Sequence, residues 1–121
     1  MEGHIEKSHW AKFLTDVSET YQGYETRIEI IGRAFGDQEE VAWLPLSGMS
    51  YDWHHEQIII TVGGLSSHYP AHLTHIIDHP KMLHARHAPE GGLSSVLIVA
   101  PDKTETLVTL RQPPRLPGGA R

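Results

Sequence analysis

Trp10, Phe13, Leu14, Val17 and Tyr21 recur at i, i+3, i+4, i+7 and i+11, which is the apolar stripe of an amphipathic helix. Ser8 ahead of the stripe is an N-cap type of residue and Gly23 behind it a C′ stop. Aromatic residues at helical spacing belong to a core, so Trp10 and Phe13 are read as packing residues rather than a stacking platform. From Tyr24 the period changes to two. Tyr24, Thr26, Ile28 and Ile30 fall on one face and Glu25, Arg27 and Glu29 on the other, the pattern of a half-exposed strand.

Turn chemistry over Gly32 to Glu40 separates this strand from the next, Val41 to Leu46, where Pro45 predicts an edge position or a bulge. Gly48, the loop DWHH (Asp52 to His55) and the β-branched run Gln57 to Val62 read as a hairpin that ends at Gly63-Gly64. Leu83 to His87, Leu93 to Ala100 and Thr106 to Leu110, separated by APEGG and PDKTE, form a closing meander. One leading helix and five or six short, mostly antiparallel strands predict an α+β domain over residues 1–110, with a small curled sheet or barrel. Residues 111–121, RQPPRLPGGAR, read as a disordered Pro/Gly-rich tail.

Composition narrows the chemistry. At 121 residues and 39% hydrophobic content the chain has the size and character of one folded domain. It contains no cysteine, which excludes disulfides, thiolate metal ligands and cysteine nucleophiles and fits a cytoplasmic address. No apolar run approaches the ~20 residues that span a bilayer, and the N-terminus lacks a signal-peptide pattern, so no membrane association is expected. The net charge of −5, with Lys and Arg scattered singly, lacks the basic stripe that nucleic-acid binding requires. Ten histidines mean that full protonation would carry the charge from −5 to +5, a swing centred near pH ~6.5.

Six of those histidines lie in HYPAHLTHIIDHPKMLHARH, residues 68–87. If Pro70 is the first residue of a helix, His72, His75 and His79 fall at i, i+3 and i+7 on one face, with Leu73, Ile76 and Ile77 turned to the core. Three imidazoles on adjacent turns can converge on Zn²⁺ or Ni²⁺, with Asp78 as a further ligand or a partner to one. An extended segment removes that site, because His75 and His79 would then lie ~13 Å apart at ~3.3 Å per residue. The spacing lacks the glutamate of a H-E-x-x-H metalloprotease helix.

Other constellations are weaker. Ser66, Ser67, Ser94 and Ser95 with His68, Asp52 and Asp78 supply the groups of a hydrolase or isomerase on paper, but no serine sits in a G-x-S-x-G setting. Gly63-Gly64 and Gly91-Gly92 lack the remainder of a phosphate-binding fingerprint and read as turns. Asp37 to Glu40 lacks the alternating oxygen ligands of a calcium loop.

Taken in order, Trp10, Phe13 and Leu14, Gly23 before IEIIG, GDQEE (Gly36 to Glu40), LSGMSYD (Leu46 to Asp52), HLTHII (His72 to Ile77) and Pro80 resemble a family of small, mainly bacterial proteins known only as a domain of unknown function. The resemblance covers roughly residues 8 to 110 and implies a compact α+β domain with no activity to carry over. His72 and His75 fit its pattern, whereas His54, His55, His84 and His87 are particular to this chain. A looser resemblance in architecture links the chain to Sm-like small barrels, through the leading helix and GMSYD (Gly48 to Asp52). The Arg-Gly of the second Sm motif has no counterpart at Leu83 to His87.

A complete small-domain pattern without a catalytic constellation points first to a non-catalytic binding or interaction module. It would engage a protein partner or a second copy, with open strands such as Gln57 to Val62 available for edge addition. Divalent-metal binding by His72, His75 and His79 is the alternative, and acid–base hydrolase or isomerase chemistry the third reading.

Overall fold

The computed structural model of the chain describes residues 3–32, 36–64 and 72–113. Within them the helix α1 spans Trp10–Tyr21 and buries Trp10, Leu14 and Val17, the residues of the apolar stripe. It starts one residue later than Ser8 implies, with His9 at the N-cap position. Lys7–His9 forms a 3₁₀ turn, and no side chain caps the helix at His9. Gly23 follows the last turn with φ 90°, the left-handed conformation that stops a helix at little cost only in glycine.

Seven strands follow: β1 Glu25–Gly32, β2 Gly36–Asp52, β3 Gln57–Gly63, β4 His72–Asp78, β5 Met82–His87, β6 Leu93–Val99 and β7 Glu105–Arg111. They form one sheet in the order β4-β3-β2-β1-β7-β6-β5, and every neighbouring pair is antiparallel. The expected α+β class and antiparallel sheet hold. The expected barrel does not: the strand order is open, with β4 and β5 at its two ends. The strands number seven because the histidine segment forms β4, while Gly36 to Glu40, read as a turn, opens β2 and lengthens it.

The 17-residue β2 holds the sheet together by changing partners. Its first part pairs with β1, and from Leu46 onward it pairs with β3. Register shifts opposite Thr26 to Ile28 and between Leu46 and Gly48 mark the bends, as bulges do when they re-aim a strand. Pro45, expected at an edge or in a bulge, sits between them, paired in register with Glu25 on a strand inside the sheet. Trp43 in the first bend has φ 59°, and its ring carries the Arg111 guanidinium 3.7 Å above its centre. Arg111 also bonds Glu25 at 2.7 Å, so the first residue of the expected tail is the anchored end of β7; residues 114–121 lie outside the described residues.

One buried cluster between the helix and the sheet carries the core. Trp10 and Leu14 from the helix meet Ile28, Leu46, Ile58, Ile60, Leu83, Val96, Ile98 and Val108 from six strands in one buried cluster. Each fully buried aliphatic side chain there contributes about 1.5–3 kcal/mol. Trp10 packs edge-on against Tyr51 with ring centres 5.1 Å apart.

Candidate functional site

The two ends of the sheet are treated differently. At β5 the N-terminal segment lies alongside the strand: the Ile5 N–H donates to the Leu83 carbonyl at 2.8 Å, and the Ala85 N–H donates to the Gly3 carbonyl at 2.7 Å. His4 and His84 face each other in this short pairing. The Trp10 indole N–H, donating to the Ile5 carbonyl at 2.9 Å, ties the strap to the helix. An edge covered in this way offers little to another chain.

At β4 no described residue covers the outer side. The strand pairs with β3 in an unbroken register from Gly63↔His72 to Gln57↔Asp78, and beyond its end the His79 N–H donates to the Glu56 carbonyl at 2.7 Å. In an antiparallel ladder the residues that exchange bonds with a neighbour alternate. Leu73, His75 and Ile77 therefore direct their backbone groups toward β3. His72, Thr74, Ile76 and Asp78 present theirs to the open side. The open strand is thus β4 and not Gln57 to Val62, which lies inside the sheet as β3 between β2 and β4.

The side chains of β4 sort the same way. Ile77 is buried and His75 half-buried, but Leu73 is 50% exposed and Ile76 49% exposed. They are two of the four large exposed apolar residues among those described. Sequence spacing turned Leu73, Ile76 and Ile77 together toward the core, and only Ile77 goes there. A period of two sets Ile76 on the face opposite Leu73, His75 and Ile77, and Leu73, though on the face of Ile77, stays half-exposed near the start of the strand. Beside the inward face of β4 runs a groove of about 630 Å³, lined by Ile30, His75, Ile77, Ala100, Asp102 and Thr106 among others. Glu40 lines this groove and a smaller one beside Leu73 and His75. Burial holds the His75 imidazole below its usual pKa of 6.5, and the neighbouring Glu40 carboxylate opposes the shift.

The helix that would gather His72, His75 and His79 is replaced by this strand. Residues three apart on a strand point to opposite faces, so His72 and His75 diverge. His79 lies past the strand end in left-handed conformation, φ 51°, four residues from His75 or ~13 Å in extended chain. Among the described residues no group of three or more histidines and carboxylates is placed to hold a metal ion. Pro70, His68, Ser66 and Ser67 lie outside the described residues.

The remaining acid–base candidates have local duties. Asp52 accepts the backbone N–H groups of His54 and His55 at 3.0 and 3.3 Å, and its other oxygen meets the His55 ring at 2.8 Å. The bond from His55 holds the Asp52 carboxyl below its usual range, and the arrangement shapes the β2–β3 turn. Asp78 accepts from Gln57 at 2.8 Å across the β3–β4 pair. Ser94 donates to the Arg86 carbonyl at 3.1 Å, tying β6 to β5. His54 stacks on Trp53, which is 66% exposed at the hairpin tip. No helix among the described residues is long and apolar enough to cross a membrane.

No solved structure matches the chain. It is similar to an uncharacterised protein of Aquifex aeolicus (strain VF5), 29% identical over 113 residues that make up 93% of each chain. A family model matching residues 1–118 shows that the chain belongs to DUF5335, a family of unknown function.

Proposed function

We propose that this protein is a non-catalytic interaction module that receives an extended segment of another polypeptide along β4. The observation that carries this reading is the contrast between the two ends of the sheet. β5 is covered by Gly3 to Ile5, whereas among the described residues none covers β4, which offers the backbone groups of four residues beside exposed Leu73 and Ile76. A long, flat, apolar edge is a liability that proteins blunt with charge, proline or a covering segment. Between His72 and Asp78 neither a lysine nor a proline is present, so the edge is kept in a form that favours pairing. Strand addition would draw affinity from main-chain bonds and specificity from alternate side chains.

The test is a photo-crosslinking residue placed at Ile76 in cells, with a control at exposed Glu19 on α1. Adducts with a polypeptide at position 76 alone, lost when Thr74→Pro removes an outward N–H, are expected. Equal labelling at Glu19, or none at position 76, would overturn the reading.

A further inference from the structure

Resting on that reading, we propose that the segment received by β4 is the β4 strand of a second copy, paired antiparallel about a two-fold axis at His75. The backbone geometry limits the choices. Only residues whose bonding groups face outward can form the bonded pairs of the new ladder, and on β4 these are His72, Thr74, Ile76 and Asp78. A two-fold axis at His75 sets His72 opposite Asp78 of the second copy and Thr74 opposite its Ile76, and symmetry repeats both pairs. Every outward N–H and C=O of the four residues then has a partner.

Neighbouring registers do worse. A shift of two residues one way brings Pro80, which has no N–H, opposite His72 of the second copy. The same shift the other way leaves Asp78 opposite no described residue of the second copy.

The side chains complement themselves in this register. An imidazole faces a carboxylate at each end, a pairing favoured between strands. Exposed Ile76 lies beside Thr74 of the second copy, and exposed Leu73 lies opposite its buried Ile77. Both apolar residues that mark the edge are thereby covered by one isologous contact, as two-fold assembly requires. The two seven-stranded sheets become one continuous sheet.

Because the chain has no cysteine, single cysteines report the register cleanly. Directly opposed residues of a non-bonded antiparallel pair have Cα atoms ~4.5 Å apart, within the reach of a disulfide. His75→Cys should therefore give a disulfide-linked dimer under mild oxidation. His72→Cys should not, since two copies of residue 72 lie ~20 Å apart in this register.

Light scattering on the full wild-type chain should show a dimer. Thr74→Pro, a substitution an edge strand tolerates, should retain the circular dichroism of the wild type. It should also weaken association by about 30-fold or more, through two lost main-chain bonds. A wild-type chain that stays monomeric at millimolar concentration would overturn the second copy as occupant, while adducts to other polypeptides at position 76 would still uphold the edge. A dimer that Thr74→Pro leaves intact, or that cross-links at His72→Cys in preference to His75→Cys, would overturn the proposed pairing.

Discussion

Ser18 on α1 holds both backbone groups of Met49 on β2. The Met49 N–H donates to the Ser18 hydroxyl at 2.7 Å, and that hydroxyl lies 2.6 Å from the Met49 carbonyl oxygen. At Met49 one side of β2 is bonded to β3, but β1 begins at Glu25 opposite Pro45 and does not reach this far. The helix side chain takes the place of the missing strand. Ser18→Ala would leave a buried N–H and C=O of Met49 without partners, at a cost of about 1–3 kcal/mol. A melting temperature lowered by roughly 4–8 °C per kcal/mol is the expected readout; an unchanged value would mean that water replaces the hydroxyl.

The covered edge depends on a single tryptophan. Trp10→Phe keeps an aromatic ring in the core but removes the indole N–H that bonds the Ile5 carbonyl. The expected loss is about 1 kcal/mol, concentrated in the strap rather than spread over the sheet. Hydrogen exchange should accelerate at Ile5 and Ala85, whose N–H groups make the strap's bonds, and remain slow at Ile98 in the buried centre. Uniform acceleration would show that the strap opens only with the whole domain.

Gly64 precedes the described start of β4 with φ 76°, and a Cβ there would meet the His72 imidazole. Gly64→Ala therefore combines a left-handed alanine, about 1–2 kcal/mol, with displacement of that ring. Urea unfolding should show a lower midpoint, and hydrogen exchange should show the loss focused on the first residues of β4.

Much of the fold is legible in local periodicity because one face of each element is buried. Trp10, Leu14 and Val17 at helical spacing are the buried face of α1. Thr26 and Ile28 at alternate positions are the buried face of β1. What periodicity cannot carry is how β2 bends between two partners, since that depends on bulges at Trp43 and Ser47 and on strands distant in sequence. Closure into a barrel is likewise a property of all the registers together. The histidine segment misleads for a different reason: His72, His75 and His79 fit a helical spacing while Leu73, His75 and Ile77 fit a strand. The β-branched Ile76 and Ile77, and pairing with β3 along its whole length, favour the strand. The site follows from that pairing, so the edge became visible only with the strand order.

Two carboxylates beside Arg27 should respond oppositely to neutralisation. Burial in the sheet, then a hydrogen bond with Asp37, raises the Glu29 carboxyl above its ordinary 4.5, and Arg27 opposes the rise. A carboxyl with a raised folded pKa is favoured by folding in its protonated form; that contribution is present below 4.5 and lost as pH rises through the folded value. At pH 7 Glu29→Gln should therefore be neutral or stabilising. Glu39→Gln breaks the 2.6 Å ion pair with Arg27 and should cost up to about 1 kcal/mol, the range of exposed pairs. Chemical denaturation of the two variants at pH 7 gives the comparison, and a larger loss for Glu29→Gln would reverse the assignment.

His75 should make both the fold and its pairing sensitive to acid. Its folded pKa lies below 6.5 because burial disfavours the imidazolium, despite Glu40. The unfolded chain therefore binds a proton first as pH falls. Stability from His75 is complete above 6.5 and is lost between 6.5 and the lower folded value. Glu40 on β2, and Asp78 and Asp102 around the same groove, are the carboxylates that face this region. In the paired state a second His75 stands directly opposite the first, so protonation would set two like charges across the axis, which disfavours strand pairing. Light scattering from pH 7.5 to 5.5 should show the dimer dissociating as pH falls, and His75→Gln should dissociate less over the same range. A dimer that tightens on acidification in the wild type would overturn this role of His75.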